Sequence, residues 1–122
     1  MGRRSRRRAV VGRISAPESS YPSPAHGELV LRGSMSLKTR HEYKRESDPS
    51  RARAAATAED VWARKIEFLF ERLAVRWTVE AVPWDGKELL ARFRVASTAE
   101  RQWIRTVLRE HLAENFPDLD AP

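Results

Sequence analysis

Between Thr57 and Phe116 the apolar residues change period twice, and that change constrains the fold more than any other feature of the chain. Trp62, Ile66, Leu69, Phe70 and Leu73 recur at helical steps, within roughly 100° of one helix circumference. Val75, Trp77, Val79 and Ala81 then alternate with Arg76, Thr78, Glu80 and Val82, which is the two-residue period of a strand. A second alternating run sets Leu89, Ala91, Phe93 and Val95 against Leu90, Arg92, Arg94 and Ala96. Ser97-Thr98-Ala99-Glu100 is a full capping box, and it opens a helix over 98–115 with Trp103, Ile104, Val107, Leu108 and Leu112 on its inner side. Phe116-Pro117 ends that helix, and the acidic tail after it is expected to fray. Residues 57–122 therefore read as a compact α+β domain, an antiparallel hairpin with helices packed on one face.

The turn of the predicted hairpin follows from matching its faces. A two-residue loop at Asp85-Gly86 would oppose Val79 to Arg92 and Trp77 to Arg94, mixing apolar and charged residues on one face. A three-residue loop, Trp84-Asp85-Gly86, opposes Trp77 to Phe93 and Ala81 to Leu89, with Gly86 in the left-handed conformation. Two strands are marginal alone, so a third must come from elsewhere in the chain or from a partner.

Upstream, residues 35–56 read as a linker. Leu37, Thr39, His41 and Tyr43 alternate with Lys38, Arg40, Glu42 and Lys44, the pattern of an edge strand. That strand would give the order β-α-β-β-α; without it the unit is α-β-β-α. Asp48-Pro49 has the form of a helix start, as has Thr57 with Asp60 three positions on. Residues 1–34 have the composition of a disordered tail, with Arg3, Arg4, Arg6, Arg7 and Arg8 followed by a Ser/Pro segment. Within it, Glu28-Leu29-Val30-Leu31 has the makings of a short strand. Met35 opens a stretch resembling an ordinary bacterial N-terminus and is a candidate start.

Charge is divided unevenly. Residues 1–56 hold 13 basic and 5 acidic residues, a net of +8, while 57–122 hold 10 and 12, a net of −2. The basic excess of +6 thus lies outside the predicted domain. Arginine outnumbers lysine 19 to 4, which fits a GC-rich genome as well as it fits phosphate binding. With no cysteine, disulfides and thiolate-held metals are excluded. No apolar run approaches the ~18–20 residues that cross a bilayer. Only Val10-Val11 follows the arginines, where a secretory signal needs about 7–15 apolar residues, so a cytoplasmic location is expected.

Three places invite a functional reading, each beside a plainer one. On the outer hairpin face, Arg76, Arg92 and Arg94 with Val82, Leu90 and Trp84 would track phosphates or receive a partner; the plainer reading is a solvated face with Glu80 pairing an arginine. Val61 and Phe68, rimmed by Arg64, Lys65 and Arg72, form a second stripe about 120–140° from the core stripe of their helix. A second stripe often means a second contact, with the N-terminal segment of the same chain or with a dimer or other partner; the plainer reading is simple exposure. His111 sits on the apolar side of the last helix and reads as a core histidine bonded to backbone. His26 and His41 have no metal-ligand spacing, and no phosphate loop, serine elbow or paired carboxylates mark a reaction centre. No catalytic residue, metal or cofactor is therefore nominated. The expectation is a non-enzymatic binding or assembly module that meets a protein partner or a second copy of itself. Nucleic acid is the alternative partner, and no membrane contact is expected.

Overall fold

The structure, a computed structural model, describes residues 17–46 and 58–122. In chain order the elements are β1 (Glu18–Ser23), β2 (Gly27–Arg32), α1 (Leu37–Glu46), α2 (Ala58–Leu73), β3 (Ala74–Val79), β4 (Val82–Asp85), α3 (Lys87–Arg94) and α4 (Thr98–Asn115). The fold is α+β, with one antiparallel sheet in the order β1-β2-β3-β4. Register places Tyr21, Leu29, Trp77 and Trp84 in one cross-strand row on the face that the helices cover. Ser20, Val30, Arg76 and Asp85 form the equivalent row on the other face.

The third strand comes from the segment read as tail. Glu28–Leu31 does lie in a strand, and that strand is interior, paired with β1 on one side and β3 on the other. Leu29 and Leu31 are fully buried and Val30 nearly so. Val30 lies on the face opposite Leu29 and is nevertheless buried, so three consecutive positions are apolar, which hides the alternation expected of a strand in a short sequence window. The assignment of 1–34 to a disordered tail is thus corrected for 17–34, and a chain starting at Met35 would lack half of the sheet; residues 1–16 lie outside the described residues. Gly27 permits the close pairing: its φ is +85°, and a Cβ there would stand 1.8 Å from the Thr78 carbonyl oxygen.

Two further elements differ from the sequence reading. Residues 37–46 are a helix, not an edge strand. Ser36 starts it, its Oγ accepting from Thr39 N at 3.1 Å while its carbonyl accepts from Arg40 N at 3.0 Å. Alternation and helical spacing overlap at Thr39 and Tyr43, four apart, so the short run satisfied both periods. The second hairpin strand is likewise a helix, α3, with Leu89 and Phe93 buried at the same four-residue spacing. Lys, Glu, Leu, Ala and Arg over 87–94 are good helix formers with no β-branched residue among them, and local propensity prevailed. The strand that pairs with β3 is β4, joined to it through Glu80-Ala81, so Trp77 faces Trp84 and not Phe93. Gly86 does have a positive φ, 59°, but as the N-cap of α3 and not within a hairpin loop.

The two long helices follow their apolar stripes. α2 buries Ile66, Leu69, Phe70 and Leu73; the proposed starts at Asp48 and Thr57 lie outside the described residues. α4 has the predicted capping box: Ser97 Oγ accepts from Glu100 N at 3.1 Å and Ser97 N donates to Glu100 at 2.9 Å. The tail after α4 is docked, not frayed. Phe116 and Leu119 are buried, the Tyr43 hydroxyl donates to the Asp120 carbonyl, and Pro122 O accepts from Arg105 at 3.3 Å and Arg109 at 3.1 Å. His111 is a fully buried core histidine bonded to backbone, its Nε2 standing 2.6 Å from Arg32 O.

Candidate functional site

The residues predicted for an outer hairpin face do not share one. Arg76 is exposed on the open side of β3, directly across from Asp85. Arg92 and Arg94 belong to α3, on the helical side of the sheet. Arg92 donates to Glu100 at 2.8 Å with its guanidinium 4.7 Å from the centre of the Trp77 ring, and Arg94 pairs with Glu67 at 3.3 Å. Burial alone would raise the Glu100 carboxyl, but the bonds from Arg92 and Ser97 outweigh it and hold the group below the usual carboxylate range. Trp84 and Leu90 are half-buried against the core, and Val82 is half-exposed at the start of β4. The grouping depended on residues 89–96 being a strand, and it dissolves because they form a helix.

The Val61–Phe68 stripe finds its second contact within the chain. α1 lies along it, with the Tyr43 ring 6.0 Å from that of Phe68, and the Arg72 guanidinium stands 5.1 Å from the centre of the Phe68 ring. Glu42 pairs with Arg72 at 3.5 Å and Glu46 with Arg64 at 3.8 Å. Val61 is half-buried. Lys65 is buried beside the Tyr43 ring; burial pulls its ammonium pKa down against the opposing influence of Asp120. Of the alternatives, the structure shows the first: a segment N-terminal to α2 in the same chain packs on this stripe. The sheet edges give little more scope for a second copy, since β1 carries Pro22 and β4 carries Pro83, residues that blunt edge pairing.

A groove that sequence reading did not identify lies between the N-terminal halves of α2 and α4. Ile66 and Phe93 are its buried lining residues, and Trp62, Arg101, Arg105 and Glu59 line it nearer the solvent. Its volume is about 210 Å³. Trp62 keeps 40% of its surface in solvent, although it belongs to the apolar stripe of α2. The Arg105 guanidinium lies 4.0 Å from the centre of the Trp62 ring, and that of Arg101 4.8 Å from the Phe93 ring. Arg101 is fixed by the carbonyls of Ala96 and Arg94, at 3.3 and 2.9 Å, and Arg105 by Pro122 O. Two positioned cations thus border an apolar trough that is small beside the usual ~300–1,000 Å³ of small-molecule sites. The sequence signal was the place of Trp62 at the N-terminal end of its stripe, one turn before the residues that are fully covered.

A second cleft, of about 300 Å³, lies between α2, β3 and α3 with Arg32, Glu71 and Lys87 on its walls. Arg32 is committed there to the carbonyls of Arg72 and Ala74, at 3.3 and 3.5 Å, which closes the C-terminal end of α2. Among the described residues, no cluster of His, Asp and Glu is arranged to hold a metal, and no helix is long and apolar enough to cross a membrane. No known protein family, no curated protein and no solved structure matches the chain.

Proposed function

We propose that this chain is a small non-catalytic binding module of the bacterial cytoplasm, and that the groove between α2 and α4 takes an apolar side chain from an acidic segment of a partner protein. The observation that carries this reading is Trp62, a large aromatic left 40% exposed beside the buried Ile66 and Phe93. Aromatic and arginine side chains together are the usual anchors of protein contacts, and Arg101 and Arg105 select against a basic ligand. The size of the groove suits one or two side chains of a peptide. A different protein fits better than a second copy, because the stripe and the edges that would have favoured self-association are occupied or blunted by this chain's own residues.

Selection of peptides from a random display library on the full chain tests the reading, with native mass measured alongside. Enriched peptides should carry an apolar residue flanked by Asp or Glu, and the native mass should be that of one chain. Trp62→Ala should weaken their binding by about tenfold, roughly 1.4 kcal/mol, and Glu59→Lys should strengthen it. Peptides that bind Trp62→Ala as well as the native chain would overturn the groove as the site.

A further inference from the structure

α1 sorts its charges by side. Glu42 and Glu46 turn toward α2 and pair with Arg72 and Arg64, and Arg40 turns toward the C-terminal tail, 3.1 Å from Asp118. Tyr43 is buried beneath them. The positions left in solvent are Leu37, Lys38, His41, Lys44 and Arg45, which at 100° per residue fall within about 120° of the helix circumference. That arc holds three lysine or arginine side chains and no carboxylate. Asp118, already bound by Arg40, also feels Lys44. The patch is local, because the described residues together hold 15 basic and 16 acidic side chains.

We infer that the solvent face of α1, through Lys38, Lys44 and Arg45, is a contact for the phosphate backbone of nucleic acid, a second surface independent of the groove. Lys38 and Arg45 stand seven residues apart, about 10 Å along the axis, a span of roughly three nucleotide steps measured along a duplex axis at ~3.4 Å each. Such a contact positions a duplex without reading its sequence. An anionic membrane fits the same charge less well. A helix lying in a bilayer interface inserts a continuous apolar face, whereas the solvent side of α1 offers Leu37 alone and Tyr43 is turned inward.

The test compares the full native chain with two double variants of equal charge change, Lys38→Glu/Arg45→Glu and Arg76→Glu/Lys87→Glu. Binding to duplex DNA and duplex RNA is measured by fluorescence anisotropy across a salt series, with vesicles containing phosphatidylserine in parallel. The α1 variant should lose at least about tenfold in affinity at low salt, and its log–log salt slope should be shallower by about 2, while the Arg76/Lys87 variant keeps the native slope. Trp62→Ala should bind nucleic acid as the native chain does, which separates this surface from the groove. Equal losses in the two double variants would overturn the inference, since net charge and the arginines of residues 3–13 would then account for binding. So would a loss confined to vesicles, or a native chain that binds neither duplex at low salt.

Discussion

Glu80 and Ala81 close the β3–β4 hairpin with φ of 51° and 67°, a region in which a Cβ crowds the neighbouring carbonyl. Strand twist demands this conformation in a two-residue loop, and Asn or Gly normally supplies it. Ala81→Gly should therefore stabilise the protein: relief of about 1–2 kcal/mol of crowding exceeds the ~0.4–1 kcal/mol of added unfolded-state entropy. Gly86→Ala should destabilise it by about 1–2 kcal/mol, because φ 59° with ψ −139° lies where essentially only glycine is at ease, even though a Cβ there would meet nothing within 4 Å. Urea midpoints that move in opposite directions for the two variants would bear this out; a shift of the same sign would refute it. The Asp85-Gly86 dipeptide correctly marked a positive φ in the sequence. Glu80-Ala81 carried no such mark, and the hairpin was consequently placed one element too far along.

At the scale of elements, ambiguity arose wherever a segment was short. Leu89 and Phe93 share a face whether 87–94 is extended or helical, and so do Thr39 and Tyr43 in 37–46. Length removes the ambiguity, which is why α2 and α4, of 16 and 18 residues, were legible and α1 and α3, of 10 and 8, were not. β2 posed a different problem. Its three consecutive buried residues show no alternation, because Val30 is covered on the face opposite Leu29. A chain beginning at Met35 removes β1 and β2, and with Leu29, Val30 and Leu31 about 5–9 kcal/mol of burial, comparable to the whole stability of a small domain. Such a chain should show no cooperative thermal transition by circular dichroism. A sharp native-like transition would mean that β3 and β4 need no third strand.

For the molecule as a whole, His111 joins regions distant in sequence. Its Nε2 faces Arg32 O of β2 at 2.6 Å and its Nδ1 the Tyr21 hydroxyl of β1 at 2.8 Å, with Asn115 Nδ2 3.3 Å away. These contacts fit a neutral ring that donates from Nε2. Burial lowers the His111 pKa, against the bond to Arg32 and the charge of Glu114, and burial raises that of the Tyr21 hydroxyl. The unfolded chain therefore takes up its proton first as pH falls. The His111 contribution is complete above about pH 6.5, declines below it, and levels off once the folded ring is also protonated. His111→Gln should lower stability at pH 7 and flatten its fall between about pH 7 and 5; an unchanged fall would place the titrating group elsewhere. The sequence by itself determined the α+β class, the two long helices, the capping box at Ser97, the strand character of β3 and the buried role of His111, all of which rest on periods or bonds local to one segment. Tertiary structure decided the membership of residues 17–34 in the sheet and the cover over Phe68, because each depends on a neighbour far away in the chain, whereas α1 and α3 were simply too short for their period to tell helix from strand. Tertiary structure also decided which surfaces were left open. Trp62 stands in the same stripe as Ile66, and only the placement of α4 leaves one exposed beside the other.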